Sequence, residues 1–123
     1  MASWFIINRE KISGVSLHKI DEGIDTGPII EIREFLINES DTAQVVFNES
    51  EKIILEMFQD WYNNLLNGKF SLKPQDVKNR KLYLEKDLQK EKDLTRYARA
   101  FHFKGKESAY YYNSIGEKIY LKY

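Results

Sequence analysis

The chain has 123 residues, 42% of them hydrophobic and 14% aromatic, and a formal net charge of zero. That composition supplies a core for one domain or part of one and excludes wholesale disorder. With no cysteine and only two histidines, His18 and His102, disulfides, thiolate zinc sites and cysteine nucleophiles are excluded, and a histidine-built metal site has too few ligands.

The N-terminal stretch MASWFIINRE meets a charge at Arg9 and reads as neither a secretory signal nor a spanning helix. No run approaches the ~20 apolar residues of a membrane span, so the expected location is cytoplasmic, with no membrane partner. SGVSLHKI (13–20) alternates Val15 and Leu17 with Ser16 and His18 and predicts a short strand. PIIEIREFLI (28–37) predicts a second strand, apolar at most positions and so expected to be covered on both faces. Between them Asp21 to Gly27, with glycines at 23 and 27 and Pro28 behind them, predicts a loop.

From Asp41 to Leu66 the period becomes helical. Val45, Val46, Ile53, Ile54, Met57, Phe58, Trp61 and Leu65 recur at three- and four-residue spacings and form a broad apolar stripe. Asp41 and Gln44 suit an N-terminal capping pair, and Asn67–Gly68 a C-terminal stop. A helix of this extent, roughly 39 Å long at 1.5 Å per residue, is too long to bury its stripe on two short strands. Residues 68–90 predict a polar connector with a short element around Leu82–Leu84. EKDLTRYARAF (91–101) predicts a helix with Leu94, Tyr97 and Phe101 on one face. SAYYYNSIGEKIYLKY (108–123) predicts a β-hairpin turning at Asn113 to Glu117.

The zero net charge conceals an asymmetry. Residues 1–68 hold 5 Lys and Arg against 12 Asp and Glu, and residues 69–123 hold 14 against 7. A basic C-terminal part suits an anionic ligand such as nucleic acid or a phosphorylated small molecule. It equally suits mutual attraction between the two parts, or plain solvation.

The densest chemistry lies in HKIDEGIDTGPII (18–30), which carries Asp21, Glu22 and Asp25 beside His18. A turn wants Gly, Asp and Pro, and that explanation suffices by spacing alone. The alternative is that His18 and Asp25 converge on one pocket, where a carboxylate acts as a base or orients water.

The exact string GVSLHKIDEGIDTGPII resembles the signature of the 10-formyltetrahydrofolate-dependent formyltransferases, the family of the methionyl-tRNA, glycinamide ribonucleotide and sugar-nucleotide N-formyltransferases. The family pattern runs G-V-T-hydrophobic-H, a few residues, then D-x-G-x-D-x-G-P-I-I. Gly14, Val15, Leu17, His18, Asp21, Gly23, Asp25, Gly27, Pro28, Ile29 and Ile30 fit it, and Ser16 replaces the threonine. WFIINRE resembles the family's W-x-I-x-x-G-E, with Arg9 where glycine is common, and YARAFHFKGKESAYYYNSIGEKIYLK looks like the small C-terminal extension of sugar- and tRNA-type members.

The resemblance implies an α/β fold: residues 1–75 as the C-terminal part of a formyltransferase catalytic domain (strand-loop-strand and long helix) and 76–123 as a small extension of short helix and β-hairpin. It implies transfer of a formyl group from 10-formyltetrahydrofolate, with no metal, to a primary amine. A nucleotide-linked amino sugar is the favoured acceptor and initiator methionyl-tRNA the second. Asp25 takes the place of the catalytic aspartate. His18, Ile20, Asp21, Glu22, Gly23 and Ile24 are the implied folate-binding residues, with the backbone of the loop reading the pterin edge. Trp4 is a pocket-lining or core residue. The family's other catalytic groups, an Asn and a His on an N-x-H string before S-x-L-P, have no counterpart here and would lie N-terminal to Trp4. This sequence alone is therefore expected to lack formyl transfer and to need a separate N-terminal half. A homodimer is a further expectation. The alternative is a non-catalytic fragment, or a partner- or nucleic-acid-binding module that uses the basic, tyrosine-rich end.

Overall fold

Apolar residues at two spacings, two and three-to-four, give the chain its strands and helices. The computed structural model describes residues 2–76, 78, 81–88 and 90–123. In chain order the elements are α1 (Ala2–Ile7), β1 (Ile12–His18), β2 (Ile29–Leu36), α2 (Ala43–Leu66), α3 (Glu85–Leu88), α4 (Leu94–Ala100), β3 (Tyr110–Tyr112) and β4 (Lys118–Tyr120). They fall into two compact units: Gly14–Phe35 with Glu49–Leu82, and Met1–Ser13 with Leu36–Asn48 and Tyr83–Tyr123.

β1 and β2 pair, and most of both strands lies in the first unit. Lys19 N–H donates to Pro28 O at 2.9 Å, and at the other end of the hairpin Ile37 N–H donates to Lys11 O at 2.9 Å, the antiparallel sense. Along β2, residues 32, 34 and 36 are exposed while their neighbours are half-buried. The strand is therefore not covered on both faces, as its apolar run suggested: Ile32 is 51% and Leu36 73% exposed. The first unit's stretch of α2 buries Met57. Trp61 donates its indole N–H to Glu31. Arg33 holds the same carboxylate at 3.0 Å and Asp60 at 2.9 Å, so one ion-paired cluster ties β2 to α2. Its opposite flank stays open. Ile54, Leu55, Phe58, Tyr62 and Leu66 are each about half exposed or more, and at 100° per residue they fall within roughly a third of the helix circumference.

The ends of α2 use other residues than those expected at the start, and the expected ones at the stop. Thr42 Oγ1, not Asp41, accepts from Val45 N–H. Asp41 instead accepts from Asn38 N–H at 2.8 Å, and Gln44 Oε1 accepts from Lys104 N–H. At the far end Lys69 N–H reaches Asn64 O at 2.8 Å and Gly68 N–H reaches Leu65 O at 3.3 Å. With Gly68 at φ +66, this is a Schellman stop.

In the second unit α1 packs on α3 and α4. Sequence periodicity did not reveal α1, because its six residues are too few to show a period. Ile6 is buried from α1, Leu88 from α3, and Tyr97, Ala98 and Ala100 from α4. Of the expected face Leu94–Tyr97–Phe101, Tyr97 and Phe101 are in ring contact with centroids 4.9 Å apart, and only Leu94 falls outside it. Leu94 is exposed, since the helix begins there, with Asp93 as N-cap accepting from Arg96 N–H at 3.1 Å. Trp4 lies half-buried against Tyr83, ring centroids 4.5 Å apart. The short element near Leu84 is α3, beginning at residue 85, and Leu82 is exposed. Residues 77, 79, 80 and 89 of the expected connector lie outside the described residues. The hairpin pairs Tyr110 with Tyr120 and Tyr112 with Lys118. Tyr97 donates its hydroxyl to Tyr110 O at 3.2 Å, which joins α4 to the hairpin. Among the described residues no helix is long and apolar enough to cross a membrane.

Candidate active site

The loop between β1 and β2 is built by close backbone approach. A Cβ placed on Gly27 would lie 1.5 Å from Lys19 O, so no other residue fits there without opening the loop. Gln75 donates its amide N–H to Gly27 O. Ile29 and Lys73 exchange backbone bonds of 2.7 and 2.8 Å. The segment at 73–75 thus braces the base of the loop. Sequence reasoning missed it, because a single polar bridge leaves no periodic signal.

Within the loop the two aspartates play different parts. Asp21 Oδ1 accepts from Gly23 N–H at 2.9 Å and from Thr26 Oγ1 at 2.6 Å. The Thr26 bond, then the Gly23 bond, hold its carboxyl below the usual aspartate range. Asp21 is a self-contained Asx turn. Asp25 is exposed and has φ +52, a left-handed backbone that aspartate tolerates better than most side chains. Its carboxylate has no hydrogen-bond or ion-pair partner among the described residues.

His18 is half-buried, its Nδ1 3.1 Å from Lys19 O. A carbonyl only accepts, so Nδ1 carries a proton in this contact. The would-be Cβ of Gly27 lies 3.3 Å from the same nitrogen. The structure records no hydrogen bond from His18 to Asp25; the histidine's charge acts on Asp21. Glu22 is exposed, and Ile20 and Ile24 are 86% and 79% exposed. Two uncovered isoleucines beside a backbone in which, among the described residues, Gly23 N–H turns to Asp21 suit a planar heterocycle with apolar faces and an amide edge. No group of three or more potential metal-ligating side chains occurs among the described residues.

No protein-family model matches the chain. A methionyl-tRNA formyltransferase of Thermodesulfovibrio yellowstonii is 38% identical over 72 residues, 58% of this chain and 23% of the relative. A sugar 3N-formyltransferase solved with dTDP and 5-N-formyl-THF superposes with TM-score 0.73 and 31% identity, over 83% of this chain and 40% of that one. A sugar N-formyltransferase from Shewanella superposes with TM-score 0.80 over 99% of this chain and 53% of that one, at 22% identity.

The chain is similar in sequence and in fold to the C-terminal part of the formyltransferases. It matches 23% of the curated relative and spans 40% and 53% of these two solved structures.

Proposed function

We propose that the chain supplies the C-terminal half of a 10-formyltetrahydrofolate-dependent formyltransferase, with Asp25 as catalytic carboxylate and Ile20–Ile24 as the folate-binding loop. The division of labour between the aspartates carries this reading. Asp21 is consumed in shaping the loop, whereas Asp25 is held outward and unpaired. An unpaired, exposed carboxylate is available to take a proton or to orient a base.

When bound, the folate supplies the formyl carbon that an amine attacks. Ile20 and Ile24 would cover its ring faces, and the loop's free N–H and C=O groups would read its amide edge. His18, through Lys19, and Asp21, through Thr26, hold the loop in the receiving shape. Asp25 Oδ would take the proton from the attacking amine, or hold the histidine that does. The oxyanion-stabilising Asn and His belong to the other half. That half, in the same polypeptide or a separate one, would cover the open apolar flank of α2 at Ile54, Phe58 and Tyr62. The setting is cytoplasmic.

A nucleotide-linked amino sugar is the favoured acceptor. A 31%-identical sugar 3N-formyltransferase solved with dTDP superposes over 83% of the chain, which supports this acceptor; in sequence, a GDP-perosamine N-formyltransferase matches 46% of the chain and the methionyl-tRNA enzyme 58%. Calorimetric titration with a stable 10-formyltetrahydrofolate analogue tests the reading. The chain mixed with the N-terminal half of a sugar N-formyltransferase is expected to bind, and Gly27→Ala in the chain to abolish binding. Absence of binding by the mixture, with both halves shown to associate, would overturn it.

A further inference from the structure

The second unit contains a cavity of about 490 Å³ where the end of α1, the start of β1 and one face of α4 meet. Small-molecule sites run from roughly 300 to 1,000 Å³, so the space suits a compact organic ligand. Its walls include Arg9, Lys11 and Arg99, the acids Glu10 and Glu39, and Tyr123. Arg96 and Asp93 also line it but are spent on each other and on Glu91, at 3.1 and 3.3 Å.

The three remaining cations are differently placed. The side chains of Arg9 and Lys11 make no hydrogen bond or ion pair among the described residues, although the charge of Arg9 is felt by Asp93 across the cavity. Arg99 gives one long bond, 3.4 Å, to Asn38 O and keeps its other donors. Arg9 is the unusual one. Its φ is +57, a left-handed backbone that glycine adopts freely and arginine does not. A residue kept in such a conformation points to a use for its side chain, and here that side chain lines a cavity with two other cations.

We propose that this cavity binds a small phosphate-bearing ligand, held by Arg9, Lys11 and Arg99. Arginine forks match phosphate oxygens in pairs, and lysine adds a point charge. With Glu10 and Glu39 also in the wall the lining keeps only a small net positive charge, whose attraction grows with the charge of the ligand, so an anion with several charged oxygens, such as a diphosphate, suits it best. The ring of Tyr123, whose hydroxyl donates to Ser40 O at 3.0 Å, offers a face to the organic part of the ligand. None of these residues belongs to the loop of residues 20–27, so the inference stands apart from the folate reading.

Titration of the 123-residue chain with pyrophosphate, followed by calorimetry, tests this. Saturable binding is expected, weakened at least about tenfold by Arg99→Gln and by Arg9→Gly. Arg9→Gly is expected to melt no lower than the parent, because glycine relaxes at that φ, so its loss of binding cannot be laid to unfolding. No saturable binding, or equal affinity in both variants, would overturn the proposal. So would binding of a short RNA that pyrophosphate does not displace, since that would place the basic character on an open surface.

Discussion

Single residues in the loop between β1 and β2 divide into those that fix its shape and one that is left free. Gly27 is needed for space: alanine there would drive its Cβ into Lys19 O. The clash is with backbone, which cannot swing aside, so Gly27→Ala is expected to cost about 3 kcal/mol, at the upper end for overpacking, read as a fall in the thermal midpoint. Asp21 fixes shape by charge. Its folded pKa is lowered by Thr26 and Gly23, so its contribution is present above the ordinary value near 3.8 and is lost as pH falls through the folded one. Exchange protection of the Gly23 amide should therefore persist from neutral pH down to that value and fall only below it. Loss of protection around pH 5 to 6 would contradict this reading. The Asx turn and the turn-forming glycine were legible in the sequence, because both are local. The free state of Asp25 was not, since nothing in the spacing of three acids says which one the backbone will satisfy.

At the scale of elements, the strands, the long helix and the hairpin follow from periodicity, whereas the element ends follow from competition for partners. The Gly68 stop was legible as Asn-Gly after the last apolar residue. Gly68 has open space around it but φ +66, so Gly68→Ala costs only conformation, about 1 kcal/mol, with the Schellman bonds at Lys69 loosened. A cost near zero in a thermal melt would mean that the αL stop does not limit α2. At the other end the Asp41–Gln44 cap failed for a physical reason. Both side chains found tertiary partners, Asn38 N–H and Lys104 N–H, leaving Thr42 to cap. Helix α1 and the brace at Lys73–Gln75 were invisible for the same kind of reason. One is shorter than two helical turns, and the other is a single backbone bridge with one side-chain amide.

At the scale of the whole molecule, the sequence reading that α2 has more apolar surface than two strands can cover is matched by the exposed flank from Ile54 to Leu66. The chain also spans only 40% and 53% of the two solved formyltransferases it superposes on. On the proposed reading Asp25 and the loop form one wall of a shared site, and the open flank of α2 is where a further part of the enzyme would pack. The charge asymmetry carried less information than it promised. Several cations of the C-terminal part are paired locally, Lys90 with Asp87, Arg96 with Glu91 and Lys118 with Glu107. The most direct measurement is formyl transfer from 10-formyltetrahydrofolate to an amino-sugar nucleotide by this chain combined with a formyltransferase N-terminal half. The account predicts turnover by the pair and none by the chain alone. It predicts a loss of about 10²- to 10⁴-fold, the range for a proton-transfer group, in the pair carrying Asp25→Asn, with the thermal midpoint unchanged. Turnover by the chain alone, or an undiminished rate with Asp25→Asn, would contradict it.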